Sequence, residues 1–314
     1  PIHTQKCLKR SLMMNSENLI TVLMSSYNGE RYIREQIDSI LHQQEVNIKL
    51  FVRDDGSTDG TLQILKEYQE AGLLNFYTGK NLKPARSFMQ LLKDAPQADY
   101  YAFSDQDDYW KPTKLNQAIK RLKLSTNTPA LYFCQTQLAD KDLKLLPSIE
   151  IHPLLTFGEA LIYQFIGGCT IVINQLLRDI IIRYQPQYLP MHDVWLYDVA
   201  QAVGADIHFD AIPQILYRQH DKNVIGQGYN ALTEWKRRLR RLTQCEHLRS
   251  RMAQEILRGY SENMTKENRI IAGKIAKQDR NIKERLSVAF DKHYMASDWR
   301  TYIRFQICNF LNLV

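Results

Sequence analysis

The sequence predicts an α/β protein with a mostly parallel central sheet, helices on both faces of that sheet, and a helical, basic C-terminal extension. Three observations lead to this fold class. Short apolar, β-branched runs alternate with helical patterns through the first half of the chain, as in successive β-α-β units. Polar loops follow three of these runs. From Ala231 onward there are 18 Lys and Arg residues against 9 Asp and Glu, so the excess positive charge lies in the C-terminal part.

Composition narrows the class of protein. At 314 residues, with 44% hydrophobic and 24% charged residues, the chain suits one large globular domain with an appendage. The five cysteines are far apart and odd in number, which favours a reducing, cytoplasmic location over a disulfide framework. No apolar run approaches the ~20 residues that span a bilayer. We interpret residues 1–14 as leader or cloning-derived sequence, 15–228 as the α/β domain, and 229–314 as the basic helical region.

The predicted elements alternate in chain order. Strands are expected at 19–25, 48–53, 74–78, 99–104, 130–137, 171–173, 207–209 and 215–217. Helices are expected at 30–43, 61–70, 85–93, 113–124, 157–165 and 193–203, followed by a helical region from about Tyr229. Close β-α-β spacing implies parallel pairing of the first strands.

Three polar loops follow predicted strands, at Ser26–Asn28, Asp54–Asp59 and Asp105–Asp108. In parallel sheets ligands bind beyond the carboxyl ends of the strands. The three loops are therefore expected to share one rim. A dinucleotide-binding oxidoreductase would need a Gly-x-Gly-x-x-Gly turn after the first strand, and Ser26–Gly29 stands there instead.

The third loop carries three carboxylates in four residues: Asp105, Asp107 and Asp108. Unpaired charges at the end of a buried strand are costly, and a divalent cation relieves that cost. Mg²⁺ and Mn²⁺ prefer such oxygen ligands and keep positions open for phosphates. The alternative is a polar turn leading into the helix that follows.

Taken together, these motifs resemble family 2 of the inverting glycosyltransferases, which have the GT-A nucleotide-sugar fold. The resemblance covers about residues 19–225 and includes two later segments, His192-Asp193 and Tyr217–His220. Within the family, Phe103–Asp108 together with Tyr217–His220 is most similar to bacterial rhamnosyltransferases of cell-wall or surface polysaccharide assembly.

The resemblance implies roles on the donor side. Asp55 would accept from the N3–H of a uracil or thymine ring, Asp54 would serve the ribose, and Tyr27 would lie against the base. Ser26 and Asn28 would line the same nucleotide site. For the second loop a plain Asx turn is the alternative.

The resemblance also implies a metal site. Asp107 would bind a Mg²⁺ or Mn²⁺ ion that bridges the diphosphate, with Asp105 nearer the sugar or ribose. His220 would ligate the metal or touch the diphosphate, and Arg218 would neutralise a phosphate. Asp108 has no assigned role, although it is placed to cap the next helix.

On the acceptor side, Asp193 would be the general base that removes the proton of the acceptor hydroxyl. The alternative is that Asp193 caps the helix that follows. His192 ranks second as a base. Gly168, Cys169 and Thr170 are interpreted as a wall of the acceptor site, with a tight turn as the alternative.

These expectations define the predicted activity. We expect transfer of a sugar, with dTDP-rhamnose favoured as donor and UDP-hexose or UDP-N-acetylhexosamine as the alternative. The acceptor would be a glycan or a lipid-linked glycan. A non-catalytic scaffold with the same fold would show broken motifs, and all the site acids are present.

The C-terminal region suggests a membrane surface. Apolar residues recur at helical spacing within a strongly basic segment: Leu232, Trp235, Leu239 and Leu242, with Lys236, Arg237, Arg238, Arg240 and Arg241 between them. Such a helix is typical of peripheral membrane contact, although a solvated helix packed on the domain is the alternative. No motif indicates nucleic acid. The apolar segment 302–314 would dock on the domain, pair with a second copy of the chain, or precede further residues.

Overall fold

One eight-stranded sheet forms the centre of the protein. The computed structural model describes residues 18–148, 150, 153, 156–163, 166–220, 248–277, 281–296 and 299–312. The strands are β1 (Leu19–Ser26), β2 (Asn47–Asp54), β3 (Asn75–Thr78), β4 (Tyr100–Ser104), β5 (Tyr109–Trp110), β6 (Ala130–Ala139), β7 (Val172–Asn174) and β8 (Asp206–Arg218). Their spatial order is β3-β2-β1-β4-β7-β6-β8-β5.

The first half of the sheet is parallel, as predicted. Strand β1 pairs in parallel with β2 and β4, and β2 pairs in parallel with β3. The register joins Ser26 to Asp54 and Met24 to Ser104, so β1, β2 and β4 end at the same edge. The expected common rim for the three polar loops is therefore confirmed.

The second half of the sheet is mixed. Strand β7 is antiparallel to β4 and β6, β6 is parallel to β8, and β5 is antiparallel to β8. Two short strands were predicted at 207–209 and 215–217, but β8 is one continuous strand. The register with β6 shifts between the pairs Cys134–Asp210 and Thr136–Ile215, so the extra residues of this bulge lie in β8.

Helices cover both faces of the sheet. They are α1 (Ile33–Leu41), α2 (Thr61–Glu70), α3 (Lys83–Asp94), α4 (Lys114–Leu122), α5 (Phe157–Ile162), α6 (Gln175–Ile181), α7 (His192–Ala202), α8 (Leu248–Tyr260), α9 (Lys266–Ile275), α10 (Ile282–Ala289) and α11 (Trp299–Phe310), with 3₁₀ turns at Gly168–Thr170 and Lys292–Tyr294. The helices predicted individually begin and end within three residues of these bounds. Neither the two-residue strand β5 nor helix α6 was predicted.

Two apolar layers enclose the sheet. Along β1 the side chains alternate between them, with Leu23 in one layer and Val22 and Met24 in the other. This alternation follows from the two-residue period of a strand. Burial on both faces explains why β1 is almost continuously apolar.

The C-terminal helices extend one of these layers. Buried side chains of α8 to α11, including Ile256 and Phe305, belong to the same apolar cluster as Phe103 and Trp195. The Tyr260 hydroxyl donates to the Ile181 carbonyl at 2.8 Å. These helices therefore complete the layer over the sheet and do not form a core of their own.

Some expectations fall on other parts of the chain. The basic helix at 232–242 and the boundary near residue 229 lie outside the described residues, as do residues 1–14. Of the helices that the structure does describe, none has both the length and the hydrophobicity needed to cross a bilayer.

Candidate active site

The loops after β1 and β2 are joined by their own polar side chains. The Asn28 backbone N–H donates to Ser57 Oγ at 2.8 Å, and Asn28 Oδ1 accepts from the Thr58 N–H at 2.8 Å. Asn28 has a φ of 48°, a left-handed conformation that Asn tolerates. Tyr27 is held between these polar contacts with its side chain 47% exposed, so its ring is available to a ligand.

Asp54 is the organising residue of the second loop. Its carboxylate is fully buried and accepts four hydrogen bonds, from Ser26 Oγ, Ser57 Oγ and the N–H groups of Gly56 and Ser57, at 2.5–3.0 Å. Because both oxygens are used within the protein, the predicted contact of Asp54 with a ribose is wrong. The Asx-turn alternative describes Asp54 correctly.

Asp55 is more buried than expected for a residue that contacts the nucleotide base. Its carboxylate forms an ion pair with Arg53, accepts from Ser87 Oγ at 3.0 Å and accepts from the Leu82 N–H at 2.9 Å. These contacts join the end of β2 to the start of α3. Its contact with a pyrimidine ring stays a prediction.

The acid loop after β4 is fixed to the first loop by Gln106. Its side-chain amide accepts from the Tyr27 N–H at 2.9 Å and donates to the Tyr27 carbonyl at 3.1 Å. A side chain at position 29 would collide with this amide, because a Cβ on Gly29 would lie 2.2 Å from Gln106 Oε1. Gln106 is thus a positioning residue that the sequence alone did not identify.

Asp107 and His220 meet across this rim, as the resemblance implied. His220 Nε2 lies 2.9 Å from Asp107 Oδ2, and Tyr32 stacks on the His220 ring at a centroid distance of 5.0 Å. The side chain of Asp107 is 23% exposed and that of His220 is 11% exposed. The pair is therefore ordered and still open to a small ion.

Arg218 is buried within the protein, whereas the sequence predicted that it neutralises a phosphate. Its side chain is 2% exposed, and the guanidinium donates to the carbonyls of Asp107 and Lys141 and pairs with Glu35. It also lies over the ring of Tyr32, 4.5 Å from the centroid. Arg218 therefore holds the acid loop from below, and the prediction that it neutralises a phosphate is wrong in this structure.

Asp108 is buried beside the other acids and does not cap the next helix, so that prediction is wrong. Its Oδ1 accepts from the Arg218 N–H at 3.1 Å, while its Oδ2 has no partner within the described part of the chain. Burial, followed by the charges of Asp107 and Asp105, raises the pKa of Asp108 well above its usual range.

These donor atoms fit a divalent cation. One ligand atom each from Asp105, Asp108 and Cys169 lies within 4.8 Å of the others, close to the Asp107–His220 pair. Carboxylate oxygens are the ligands that suit Mg²⁺ and Mn²⁺, whereas an imidazole nitrogen is more usual on Zn²⁺ or Fe²⁺. Cys169 fits less well, because burial and Asp108 raise its thiol pKa well above the usual range and keep the thiol protonated.

Lys114 lies beneath the acid loop, where the sequence suggested only a helix start. It is fully buried, with Nζ 3.3 Å from the centroid of the Trp110 ring. Burial lowers its pKa to about 8, against the opposing effect of nearby acidic groups that include Asp108. Its spacing with the buried Ala118 and Leu122 was the signal that could have placed it inside. Trp110 is itself fully buried.

The acceptor-side segment packs closely against α7. A Cβ on Gly168 would lie 2.4 Å from His192 Nε2, so only glycine allows this approach. Thr170 Oγ1 donates to the Gly167 carbonyl at 2.6 Å within the 3₁₀ turn. The tight-turn alternative is thus correct for the backbone, and the role as an acceptor wall stays a prediction.

His192 is buried in an apolar setting. Its ring stacks on Phe88 at 4.0 Å between centroids and is 3% exposed. Burial lowers its pKa to about 3. A group so weakly basic is a poor proton acceptor near neutral pH, which supports ranking it below Asp193.

Asp193 lies in the first turn of α7 and is not its cap, because the N-cap residue is Met191. Burial raises the pKa of Asp193 to about 6. The pKa of Asp105 is raised to about 7 by burial and then by the charges of Asp107 and Asp193. Asp193 is therefore close enough to the acid loop for its charge to act on Asp105, and a Cβ on Gly168 would lie 3.5 Å from the Asp193 Cβ.

Known proteins are similar to this chain in sequence. The model of the family described as "Glycosyl transferase family 2" matches residues 21–179. A Shigella flexneri protein named dTDP-rhamnosyl transferase RfbG is 31% identical over 241 residues, covering 68% of this chain and 77% of that protein.

Solved structures agree on the fold. TarS residues 1–349 of S. aureus, crystallised with UDP-GlcNAc, superimposes with a TM-score of 0.60 at 18% identity, covering 94% of this chain and 81% of that one. A mannosyltransferase, PcManGT from Pyrobaculum calidifontis, crystallised with GDP-Man and Mn²⁺, gives 0.51 at 14% identity, covering 100% and 94%. The chain is therefore a member of glycosyl transferase family 2, has the GT-A fold and is a glycosyltransferase.

Proposed function

We propose that this protein is a metal-dependent inverting glycosyltransferase that moves L-rhamnose from dTDP-rhamnose to a cell-wall or surface polysaccharide acceptor. The observation that supports the chemistry is the buried acid Asp193, which lies beside the Gly168 turn, acts on Asp105 of the acid loop through its charge and has a pKa raised to about 6. The donor rests on the Shigella flexneri relative, which is named a dTDP-rhamnosyl transferase.

Inversion requires one displacement at the anomeric carbon. Asp193 takes the proton of the acceptor hydroxyl while the acceptor oxygen attacks, and such a transfer typically contributes ~10²–10⁴-fold. Its burial keeps the carboxylate poorly solvated, and the N–H of Val194 holds one oxygen at 2.8 Å. Asp193 is a carboxylate at neutral pH, because its pKa is about 6.

The leaving nucleoside diphosphate lies on the opposite side of the sugar. Asp107 and His220 would hold a divalent cation there, with Asp105 and Asp108 close by. Such a cation supplies Lewis-acid stabilisation of the charge on the diphosphate. Gln106 and Arg218 fix the backbone of the acid loop, and Tyr27 offers its exposed ring to the base.

A second donor class has support of its own. The S. aureus TarS structure contains UDP-GlcNAc, and it superimposes on nearly the whole chain. A UDP-hexose or UDP-N-acetylhexosamine is therefore the alternative donor.

A donor panel tests the proposal. The protein is incubated with Mg²⁺ or Mn²⁺ and with dTDP-rhamnose, UDP-glucose or UDP-N-acetylglucosamine, and release of nucleoside diphosphate is measured. We expect the largest release from dTDP-rhamnose and loss of release with EDTA. Preference for a UDP-sugar would replace the donor, and no release or binding with any sugar would refute the enzymatic function.

We also propose a setting for the reaction. The acceptor is a glycan or a lipid-linked glycan, and the protein acts on the cytoplasmic face of the membrane as a peripheral protein. The sequence supports this through the basic segment at 232–242, which lies outside the described residues.

A further inference from the structure

Helix α11 carries an exposed row of apolar side chains. Trp299, Ile303, Ile307 and Phe310 follow at intervals of three or four residues and are 65, 46, 52 and 51% exposed. The opposite side of the helix is buried through Thr301, Phe305 and Asn309. The helix is thus packed on the protein by one side and presents an apolar side to the outside.

The neighbouring helix also exposes apolar side chains. Asn309 Nδ2 donates to the Arg285 carbonyl at 2.9 Å and Gln306 Nε2 donates to the Ala289 carbonyl at 3.0 Å, so α10 and α11 pack side by side. Helix α10 and the turn after it add four more exposed side chains, and we name the whole set the C-terminal apolar surface: Ile282, Leu286, Phe290, Met295, Trp299, Ile303, Ile307 and Phe310.

Exposed large apolar side chains are concentrated in this part of the molecule. Of the eighteen large apolar side chains that are exposed in the described part of the chain, nine lie between Ile282 and Leu311. Phe290 is 83% exposed, the highest value among them. Large exposed apolar patches mark surfaces that bind a membrane or another macromolecule.

The charges beside this surface favour a bilayer. Arg300 and Arg304 follow Trp299 and Ile303 on α11, and from 282 to 314 there are five Lys and Arg residues against three Asp and Glu. The Arg300 guanidinium lies 5.5 Å from the centre of the Trp299 ring. Aromatic and aliphatic side chains at the acyl boundary, with arginines reaching the phosphates, are typical of interfacial helices.

The surface also packs against helix α5. A Cβ on Gly158 of α5 would lie 1.9 Å from the His293 carbonyl, so α5 touches the turn between α10 and α11.

We propose that the C-terminal apolar surface docks the protein into the interface of an anionic bilayer. Trp299, Ile303, Ile307 and Phe310 lie at the acyl boundary, and Arg300 and Arg304 contact lipid phosphates. The inference extends the peripheral-membrane part of the proposed function to a second, structurally described surface, and it does not depend on the identity of the donor.

Co-sedimentation tests the surface. Wild-type protein is mixed with vesicles of phosphatidylglycerol and phosphatidylcholine, or of phosphatidylcholine alone. The triple variant Trp299→Ser, Ile303→Ser, Ile307→Ser should partition at least about tenfold less onto the anionic vesicles. The matched control is Leu124→Ser, Leu145→Ser, Ile212→Ser, which removes side chains of 71, 67 and 65% exposure elsewhere and should partition like wild type. Equal loss in both variants, or none in the first, overturns the proposal.

Tryptophan fluorescence separates this surface from the basic segment at 232–242. Trp299→Phe keeps an apolar aromatic side chain, so it should still bind but lose most of the vesicle-induced blue shift. Trp235→Phe should keep that shift. The reverse pattern would assign the membrane contact to the basic segment and overturn the inference.

Two further measurements complete the test. Light scattering should give the same mass for wild type and the serine variant, and a fall in mass in that variant would make the surface an interface between copies. Release of nucleoside diphosphate from the donor without vesicles should be equal in both proteins. Failure of every donor would refute the proposed enzyme while leaving the vesicle result to stand on its own.

Discussion

The β2 loop and the acid loop lie on the same rim but treat their carboxylates in opposite ways. In the β2 loop, Asp54 accepts four hydrogen bonds, and Asp59 has a pKa below its usual range because hydrogen bonds from Thr61 and the Glu30 N–H outweigh the effect of burial. In the acid loop, burial and neighbouring acids raise the pKa of Asp105 and of Asp108.

This difference separates carboxylates that hold a loop in place from carboxylates that could take part in the reaction. A carboxylate that is fully hydrogen-bonded stabilises its charged form and holds a loop in place. Carboxylates that repel one another in a partly buried site are kept at a cost in stability, and such groups concentrate at functional sites. The acid loop is therefore the place where a cation and a reacting sugar would relieve the repulsion.

The largest expected effect concerns the acid loop. Asp107→Asn should reduce turnover roughly a thousandfold, because the charge that faces the diphosphate site is lost. Metal-dependent nucleotide binding, measured by calorimetry, should weaken, while circular dichroism stays unchanged. The control is Asp179→Asn on helix α6, whose side chain is 45% exposed and pairs with Arg178. Near-wild-type turnover in Asp107→Asn would show that the metal assignment is wrong.

The next effect concerns Asp193. Asp193→Asn should lower kcat by ~10² or more, because the proton acceptor is removed while the oxygen that accepts from Val194 remains. Donor affinity and Tm should change little, since the carboxylate is neither the helix cap nor a donor contact. Asp193→Ala is the companion variant, and it should lose activity equally. An active Asp193→Asn enzyme would move the base elsewhere, with His192 next to be tested.

A smaller effect is expected from pH. The pKa of Asp193 is raised to about 6, and the base acts only when it is ionised. The rate should be level above that pH and should fall as pH decreases through 6, about tenfold per pH unit. The profile of kcat against pH checks this, and Asp193→Asn should lack the inflection. An inflection that persists in this variant would belong to another group.

The smallest effects are changes in stability, and they should have opposite signs in the two loops. Asp54→Asn should lower the free energy of unfolding by about 2–3 kcal/mol. An amide can accept hydrogen bonds through only one oxygen, and its NH₂ group would face donors that now bind the second carboxylate oxygen. Asp105→Asn should stabilise the metal-free protein by on the order of 2 kcal/mol at pH 8, since it removes a repelled charge.

The pH dependence of the Asp105→Asn effect gives the check. A raised folded-state pKa means that ionisation of Asp105 lowers stability as pH rises toward about 7. The gain from Asp105→Asn should therefore shrink at pH 5, where the wild-type group is protonated. Denaturant unfolding at both pH values measures this. A loss of stability from Asp105→Asn at pH 8 would contradict the comparison.

Much of the donor side could be predicted from local pattern. Strand β1 and the loop Ser26–Asn28 follow from a short apolar run and a polar turn, and parallel pairing follows from the β-α-β order. Local pattern could not bring Asp107 and His220 together, because 113 positions in the chain separate them. Only the family resemblance placed both residues at one metal site. Sequence spacing carries no information on a contact of that kind.

Errors occurred where one residue type supports several roles. Asp54, Asp108 and Arg218 were assigned to a ligand, a helix cap or a phosphate, and each is instead used inside the protein. An aspartate after a strand has the same local sequence whether it faces a ribose or an Asx turn. Only the positions of its neighbours decide between these roles.

The sequence by itself determined the order of strands and helices, the shared rim and the excess of basic charge in the C-terminal part, because these depend on periodicity and composition. Tertiary structure alone decided that Gln106 fixes Tyr27, that Lys114 is buried against Trp110, and that Asp193 comes close enough to Asp105 for its charge to act on it. These relations depend on distances and burial between elements remote in the chain. Electrostatic energies depend on those same quantities, so the working protonation states of the site follow from the fold and not from the motifs.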